Sequence, residues 1–529
     1  MKRNKKKPAS SIDGKILSNY SNLIYKIILS FIFVVSYSYI FDSKLDLNGD
    51  NFRYLNFATS IIEGNGYSSP HTPDYLPTNW FPPGYPTILA LTMFVTGKKI
   101  VLFKIINGLF FLGSILLLNN IMRSITNGAV LSFSVSLLLL LNSGLLRYST
   151  ILMSEMPYLF FSVLAFYCVL KIEDDIKFWN SKYFYGVILA AVATYYLRSI
   201  GIALIGAITM HWLIEKKWKM VAGFLAGFSI LYLPWVIRNS IHGLKGRYLE
   251  KIMSVNFWRP EEGQINSIGE LIDRMSQNFY DTVIKGFTEV LFPFIRLNGF
   301  SELSLIALGI FILATTFFGA WKLKHYKYLF IFYILGNIFV LLLYHEGNGA
   351  RYVWPLAPFI AYCFFYGVFK MISLRLESRN KKTREILAYS ILLLSIFFIP
   401  KISDLHKSAK RDYHPAYKNY FELAERVKKM DTDGLIIACR KPAMFYYYSN
   451  AYVSSYRFSL NDKEVIKHLI DKKVDFVVLE QLGYSSTARY LFPAVQKNNE
   501  LFQIRIHLKN PDSYLLYFDS EKAKEKLNL

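Results

Sequence analysis

Two carboxylates and several arginines stand where apolar stretches of this chain begin or end. Asp50 opens the segment "DNFRYLNFATSII", in which Tyr54, Phe57 and Ile61 recur at helical spacing and Arg53 falls on another face. At the start of such a helix an Asp has two uses. It caps the backbone N–H groups and suits the helix dipole, or it serves as a base held close to the membrane surface. Glu155, in "LMSEMPYLFF", likewise stands where a new apolar helix starts, with Pro157 suited to a first turn. Acids at such depth are costly and line polar cavities, unless Ser154 or Glu155 acts only as a cap. Arg198 closes "YYLRS", Arg238 sits in "LPWVIRNSIHG", and Arg351 lies beside His345 in "YHEGNGARYVWPLAP". Each alone reads as a snorkelling anchor. Converging opposite two carboxylates, they would suit a phosphate.

The elements that must position these groups are membrane helices. Of 529 residues 53% are hydrophobic, and 38 Tyr and 43 Phe far exceed soluble usage. Apolar windows fall near 22–41, 100–122, 129–148, 152–171, 183–199, 200–214, 218–237, 301–321, 327–345, 352–373 and 386–401. A further window, 85–97, gives only roughly 20 Å of helix against a hydrocarbon core of about 30 Å. Its entry, "NWFPPGYP", fixes an extended approach at Pro82 and Pro83 and a sharp turn at Gly84. If 85–97 lies in the interface, the basic clusters around MKRNKKKP, Arg123, Lys216–Lys219, Lys322–Lys327 and RLESRNKKTR all fall on the cytoplasmic side. The formal charge of +23 is thereby assigned to loops at a membrane and not to nucleic acid.

The expected architecture is a polytopic α-helical membrane protein with about eleven spanning helices. A cytoplasmic N-terminus (1–21) precedes a membrane domain (22–401) with external loops 42–99 and 238–300. An external α/β domain (402–529) follows, with a helix near 414–430, strand 434–439, helix 462–473, strand 474–480 and strands near 501–508 and 513–519. The three cysteines are too scattered for a disulfide framework or a thiolate metal site. Asp431-Thr432-Asp433 matches the DxD pattern of nucleotide-sugar enzymes but falls on the external side, where no nucleotide sugar is supplied. Glu173-Asp174-Asp175 reads as a solvated cytoplasmic loop. The aromatic run Phe445–Tyr448 borders a sugar or forms domain core.

In order, the chain carries GDxxxYxxxAxxIxxGxGY, PPGYPxxLAL, SExPY, LRSIGIAL, PWxxRN and RYxxPxxP. This series resembles the membrane glycosyltransferases of the C-type fold. Among them it is most similar to the bacterial dolichyl-phosphate-mannose–protein mannosyltransferase-like group that includes the lipid A aminoarabinose transferases. The resemblance covers roughly residues 20–400 and, in outline, the α/β tail. It implies a bacterial inner-membrane enzyme that moves a sugar from a polyprenyl-phosphate donor to a protein, lipid or glycan acceptor on the outer leaflet, with inversion. Asp50 matches the family's essential acid, Glu155 the second acidic position, and Arg351–Tyr352 the late cationic loop. Arg53, Tyr54, Arg198, Arg238 and His345 complete the substrate- and phosphate-binding set. Many relatives carry two adjacent acids at the first position, whereas Asn51 follows Asp50 here. Some relatives hold a metal with a Glu and a His; Glu63, His71, His242 and His345 have no ligand spacing, and the scheme needs no divalent cation. A lipid-linked glycan ligase or polymerase shares the reaction class. A transporter or flippase would require inverted repeats, and the hydropathy of the two halves provides none.

Overall fold

The computed structural model describes residues 10–47, 49–172, 177–246, 248–344, 349–375, 381–430 and 434–528. The two acidic clusters at 173–175 and 431–433 lie outside the described residues, as does His345. Among the described residues ten α-helices lie between Ser10 and Ile241. They are α1 (Ser10–Ile40), α2 (Gly49–Ile62), α3 (Gly84–Thr96), α4 (Ile100–Thr126), α5 (Ala129–Leu141), α6 (Ser143–Ser149), α7 (Glu155–Lys171), α8 (Lys182–Leu197), α9 (Ile202–Ile214) and α10 (Trp218–Ile241). Helices Glu302–Trp321, Lys327–Leu342 and Ala357–Arg375 follow, then a helical run from Lys381 to Lys410.

Every apolar window of the sequence overlaps helix, although 129–148 is broken at Asn142, 152–171 becomes helical only from Glu155, and residue 345 of the window 327–345 lies outside the described residues. Among the described residues seven helices are long and apolar enough to cross a membrane, or eight if the pair α5–α6, bent by 63°, counts as one span. The helices α7, α8 and α9 are shorter, at 17, 16 and 13 residues. The short window 85–97 is α3, also 13 residues. Tyr85, Leu89 and Met93 point inward from it, while Leu91, Phe94 and Val95 are exposed. A helix apolar on its outward face fits lipid contact and not water.

Close helix crossings are set by small residues. A Cβ on Gly319 would overlap the Cys363 carbonyl, and one on Gly367 would overlap the Thr315 carbonyl, so Glu302–Trp321 and Ala357–Arg375 touch backbone to backbone. In lipid, where apolar side chains gain little by leaving the solvent, this close approach is a principal source of attraction. At the other side of the bundle Lys104 of α4 is buried and donates to the Asp42 carboxylate at 2.8 Å, and Tyr37 of α1 donates to the Lys104 carbonyl at 2.6 Å. This fixes the exit of α1, and hence the start of α2, against α4.

The C-terminal region forms a five-stranded sheet of order β2-β1-β3-β5-β4, made of β1 (Ile436–Ala438), β2 (Tyr452–Ser454), β3 (Phe476–Leu479), β4 (Phe502–Leu508) and β5 (Ser513–Phe518). The first three strands run parallel, and β3, β5 and β4 antiparallel. The sequence reading placed four of them; β2, three residues long, was missed, as was the helix Pro442–Ser449. One face of this sheet shares an apolar core with α2 and α3: Phe52, Leu55, Tyr85 and Leu89 cluster with Tyr420, Phe445, Val453 and Leu515. Polar ties reinforce the joint. Asn56 donates to the Ala443 carbonyl at 2.9 Å, and the Val453 N–H to the His71 carbonyl at 2.8 Å. Phe445–Tyr448 serves this joint, with Tyr447 and Tyr448 packed on Phe52.

Replacing Gly319 by Leu forces two backbones apart and is expected to lose more than the ~1–3 kcal/mol of an ordinary overpacked core. Gly206, which has nothing within 4 Å of an added Cβ, provides the comparison. Thermal unfolding in detergent should show a clearly lowered midpoint for Gly319→Leu and an almost unchanged one for Gly206→Ala. Equal midpoints would remove the crossing from the account of the fold.

Candidate active site

The site begins with two backbone irregularities. Between α8 and α9 the residue Arg198 is extended (φ −152°, ψ 133°), so the chain breaks its helix there and turns the guanidinium inward. Gly201 makes the turn possible, since a Cβ there would meet the Tyr195 backbone at 2.9 Å. Between α6 and α7, Asn107 of α4 donates to the carbonyls of Ile151 at 2.5 Å and Met153 at 3.2 Å, clamping the chain just ahead of Ser154 and Glu155. Asn107 also pairs with the Tyr85 hydroxyl, tying that clamp to α3.

These features bring Arg198 Nη1 to 2.8 Å from Glu155 Oε1. Glu155 is fully closed to solvent. Arg198 also donates to the Ser154 hydroxyl at 3.2 Å, which lies 3.4 Å from the Tyr54 hydroxyl of α2. Burial, reinforced by the charges of Asp50 and Glu155, pushes the Tyr54 phenol far above its usual range, so it remains protonated.

A second ion pair stands next to the first. Arg351, in a 3₁₀ turn spanning Gly349–Tyr352, donates from Nη2 to Asp50 Oδ2 at 2.9 Å. Asp50 occupies the first turn of α2, where the helix dipole also favours a negative charge. The Tyr352 ring joins the pairs, with the Arg198 guanidinium 5.7 Å and that of Arg351 5.5 Å from its centroid. Of the three arginines singled out in the sequence, Arg198 and Arg351 converge. Arg238 is engaged elsewhere: it donates to the carbonyls of Thr78 at 2.9 Å and Tyr67 at 2.5 Å, and packs 4.8 Å from the Trp235 ring. It pins the first external loop. Arg53 stacks 4.6 Å from the Trp80 ring, facing away from α7 toward the C-terminal domain.

One residue of the group had no signal in the sequence. Lys441 precedes the helix Pro442–Ser449 and sits 4.4 Å from the Tyr484 ring. Burial, aided by Arg440, Arg53 and Arg351 and opposed by Asp50, lowers its ammonium to about 8. The C-terminal domain therefore contributes a titratable cation to the neighbourhood of Asp50. Among the described residues no group of three His, Cys, Asp or Glu side chains is placed to hold a metal ion.

Two depressions that share residues lie beside the end of α8. An apolar groove of about 500 Å³ runs between α3, α8 and α10, lined by Ile88, Phe161, Leu197 and Pro234. It shares Tyr196 and Trp235 with a more polar cavity of about 520 Å³ that carries Ser199, Asn239, Lys245 and Lys251. Ser199 is the neighbour of Arg198. The combined shape suits an amphiphile with an apolar tail and a polar head that meets Ser199, Lys245 and Lys251.

Residues 81–206, from the entry to α3 through the start of α9, match the Dolichyl-phosphate-mannose-protein mannosyltransferase family. By structure the chain is similar to ArnT from Cupriavidus metallidurans bound to undecaprenyl phosphate, with a TM-score of 0.59 at 10% identity over 93% of this chain and 97% of that one. The apo state of the same protein gives 0.58, with the same identity and coverage. A search of curated proteins by sequence finds no match. The chain thus has the C-type glycosyltransferase fold that its motifs implied.

Removing the cation from the Glu155–Arg198 pair strands a carboxylate with no access to water. Arg198→Met is expected to destabilise by roughly 3–5 kcal/mol, whereas the double variant Arg198→Met/Glu155→Gln recovers most of that loss. Denaturation of the single and double variants in detergent measures both; strict additivity would mean that the two groups do not interact.

Proposed function

We propose that this protein transfers a sugar from a polyprenyl-phosphate carrier to an acceptor hydroxyl, at the external face of a bacterial inner membrane. The observation that carries the reading is the pair of arginines, each held by a carboxylate and sharing Tyr352. The family match over 81–206 and the undecaprenyl phosphate bound to the structurally similar ArnT support the same donor class. The placement of basic clusters supports a cytoplasmic N-terminus and an external C-terminal domain.

In this scheme the donor's isoprenoid lies along the groove between α3 and α10, and its phosphate meets Arg198 and Arg351. An incoming phosphate competes with Asp50 for Arg351. As Arg351 turns to the phosphate, the carboxylate is released and becomes a better base. Asp50 then takes the proton of the acceptor hydroxyl while that oxygen attacks the anomeric carbon. The bond from that carbon to the phosphate oxygen breaks, and the polyprenyl phosphate leaves with the electron pair and two fixed positive charges beside it. Attack opposite the leaving group inverts the centre. Glu155 is a positioning residue here: sealed from solvent, it holds Arg198 and does not touch substrate. Tyr352 keeps the two guanidinium planes apart. The scheme calls for no metal, since two arginines face a monophosphate.

Asp50→Asn is expected to lower transfer by about 10²–10⁴-fold with the fold intact. The assay is transfer of radiolabelled sugar from polyprenyl phosphate in nanodiscs, with membrane extract as acceptor. Transfer by wild type and equal transfer by the variant would reduce Asp50 to a helix cap. Lys441 adds a pH dependence whose sign is fixed. Its charge is present below about pH 8 and lost above it, so transfer should decline on the alkaline side of about 8. Lys441→Arg should move that decline upward, and an unmoved profile would separate Lys441 from the reaction.

A further inference from the structure

A third cavity, of about 400 Å³, lies on the side of α2 away from the lipid groove, between the first external loop, the loop around Trp258 and the C-terminal domain. It meets the donor cavity at Trp80, which lines both. Its lining includes Arg53, Arg440 and Arg457 together with His71 and His468, and among the described residues no Asp or Glu. Nearby Glu480 is buried and its oxygens already accept from the Leu482 N–H and the Thr487 hydroxyl. Concentrated positive charge with no acid in the wall attracts anions and repels cations.

Two buried atoms of this wall lack a hydrogen-bond partner among the described residues: Arg440 Nε and His71 Nδ1. Both atoms are closed to solvent and lie behind the cavity surface, so recognition there rests on the arginines that line it. Burial beside Arg53 lowers His71 to about 4, so its ring is neutral and offers a hydrogen bond and no charge. The rest of the wall includes the rings of Trp80, Phe257, Trp258, Tyr456 and Phe458. Arg440 lies 4.8 Å from the Tyr484 ring, 5.3 Å from Phe458 and 6.0 Å from Trp258, which fixes its plane and leaves flat apolar surfaces beside it. Rings of this kind pack against the apolar face of a sugar, while fork-shaped guanidinium groups pair with a carboxylate or phosphate. The volume falls within the roughly 300–1,000 Å³ of small-ligand pockets.

We propose that this cavity seats the acceptor, and that the acceptor is a saccharide bearing a carboxylate or phosphate group. The proposal rests on the transfer reading above and names the acceptor class for it. Geometry supports the assignment. Arg53 stands one turn after Asp50 on α2, and Lys441 lies between Arg440 and Pro442 of the cavity wall while remaining within the field of Asp50. An acceptor held among Arg53, Arg440 and Arg457 is thereby placed beside the turn of α2 that carries Asp50 and next to the cavity assigned to the donor, which shares Trp80.

The test is direct binding to the full chain in nanodiscs, by calorimetry or saturation-transfer NMR. The probes are a glucuronate-containing tetrasaccharide against neutral chitotetraose, and mannose 6-phosphate against mannose. Wild type should prefer at least one anionic probe over its neutral partner by about tenfold, and Arg440→Gln and Arg457→Gln should each reduce that preference several-fold. Because Arg457 is exposed, its substitution leaves packing intact and keeps the test open if Arg440→Gln fails to fold. Which anionic probe is preferred separates a carboxylate from a phosphate acceptor. Equal binding of charged and neutral probes, or a preference unchanged in Arg457→Gln, overturns the proposal. Binding of undecaprenyl phosphate is measured in parallel. If it fails while the anionic preference and its loss in the variants persist, the donor reading falls and the anionic cavity stands.

Discussion

A carboxylate with no access to water dictates much of this structure. Burying Glu155 would cost several kcal/mol were it left alone, and only a cation in good geometry offsets that. Arg198 supplies it at 2.8 Å, but a side chain at the end of one helix reaches the start of another only if the chain leaves helical geometry. Hence α8 stops at Leu197, Arg198 is extended, and Gly201 admits the Tyr195 backbone. On the other side Asn107 holds the segment before Glu155 through two carbonyls and couples it to α3 through Tyr85. The helix that forms one wall of the lipid groove and the acid that fixes an arginine are therefore parts of one hydrogen-bonded unit.

The C-terminal sheet closes the same unit against α2 and α3. Its packing on α2 and α3 is a continuous apolar core and not a tethered contact, and the loop after α10 is clasped to it by Glu261, which accepts from Tyr490 at 2.8 Å and from Arg489 at 3.0 Å. Cavity walls made from three separate stretches of chain are thereby held at fixed spacing. Lys441 lies within the electrostatic influence of Asp50 because this joint sets the spacing, and in the proposed mechanism that gives the domain a part in the chemistry as well as in closure.

Features governed by solvent were legible in the sequence. An apolar run of given length is a direct record of hydrocarbon thickness, so every membrane window overlaps helix, and α3 falls at Gly84–Thr96 against an expected 85–97. Asp50 at the head of α2 follows from amphipathic spacing. Contacts between distant stretches were not legible. Arg238 and Arg351 look alike in one dimension, yet one faces backbone carbonyls and the other Asp50, because only tertiary packing decides what lies opposite. Lys441 had no motif around it, and its meaning comes from the approach of β1 to α2. The strand β2 was missed because three residues are too few to show alternation. Asn107 sat inside an apolar helix, where a single polar residue could be dismissed; its neighbours in space give it a role.

The two ion pairs differ in one respect that assigns their roles. In Glu155–Arg198 the side chains are 0% and 15% exposed, and in Asp50–Arg351 they are 25% and 33% exposed. Separating the first pair abandons a charge in a dry environment, whereas separating the second exchanges one partner for water at little net cost. Only the second can therefore open and close within a reaction cycle. A base must be free to change partners, and a fixed electrostatic anchor must not. In the proposed mechanism the chemistry is assigned to Asp50 because its pair is half-wet, and the constancy of Arg198 to Glu155 because its pair is dry.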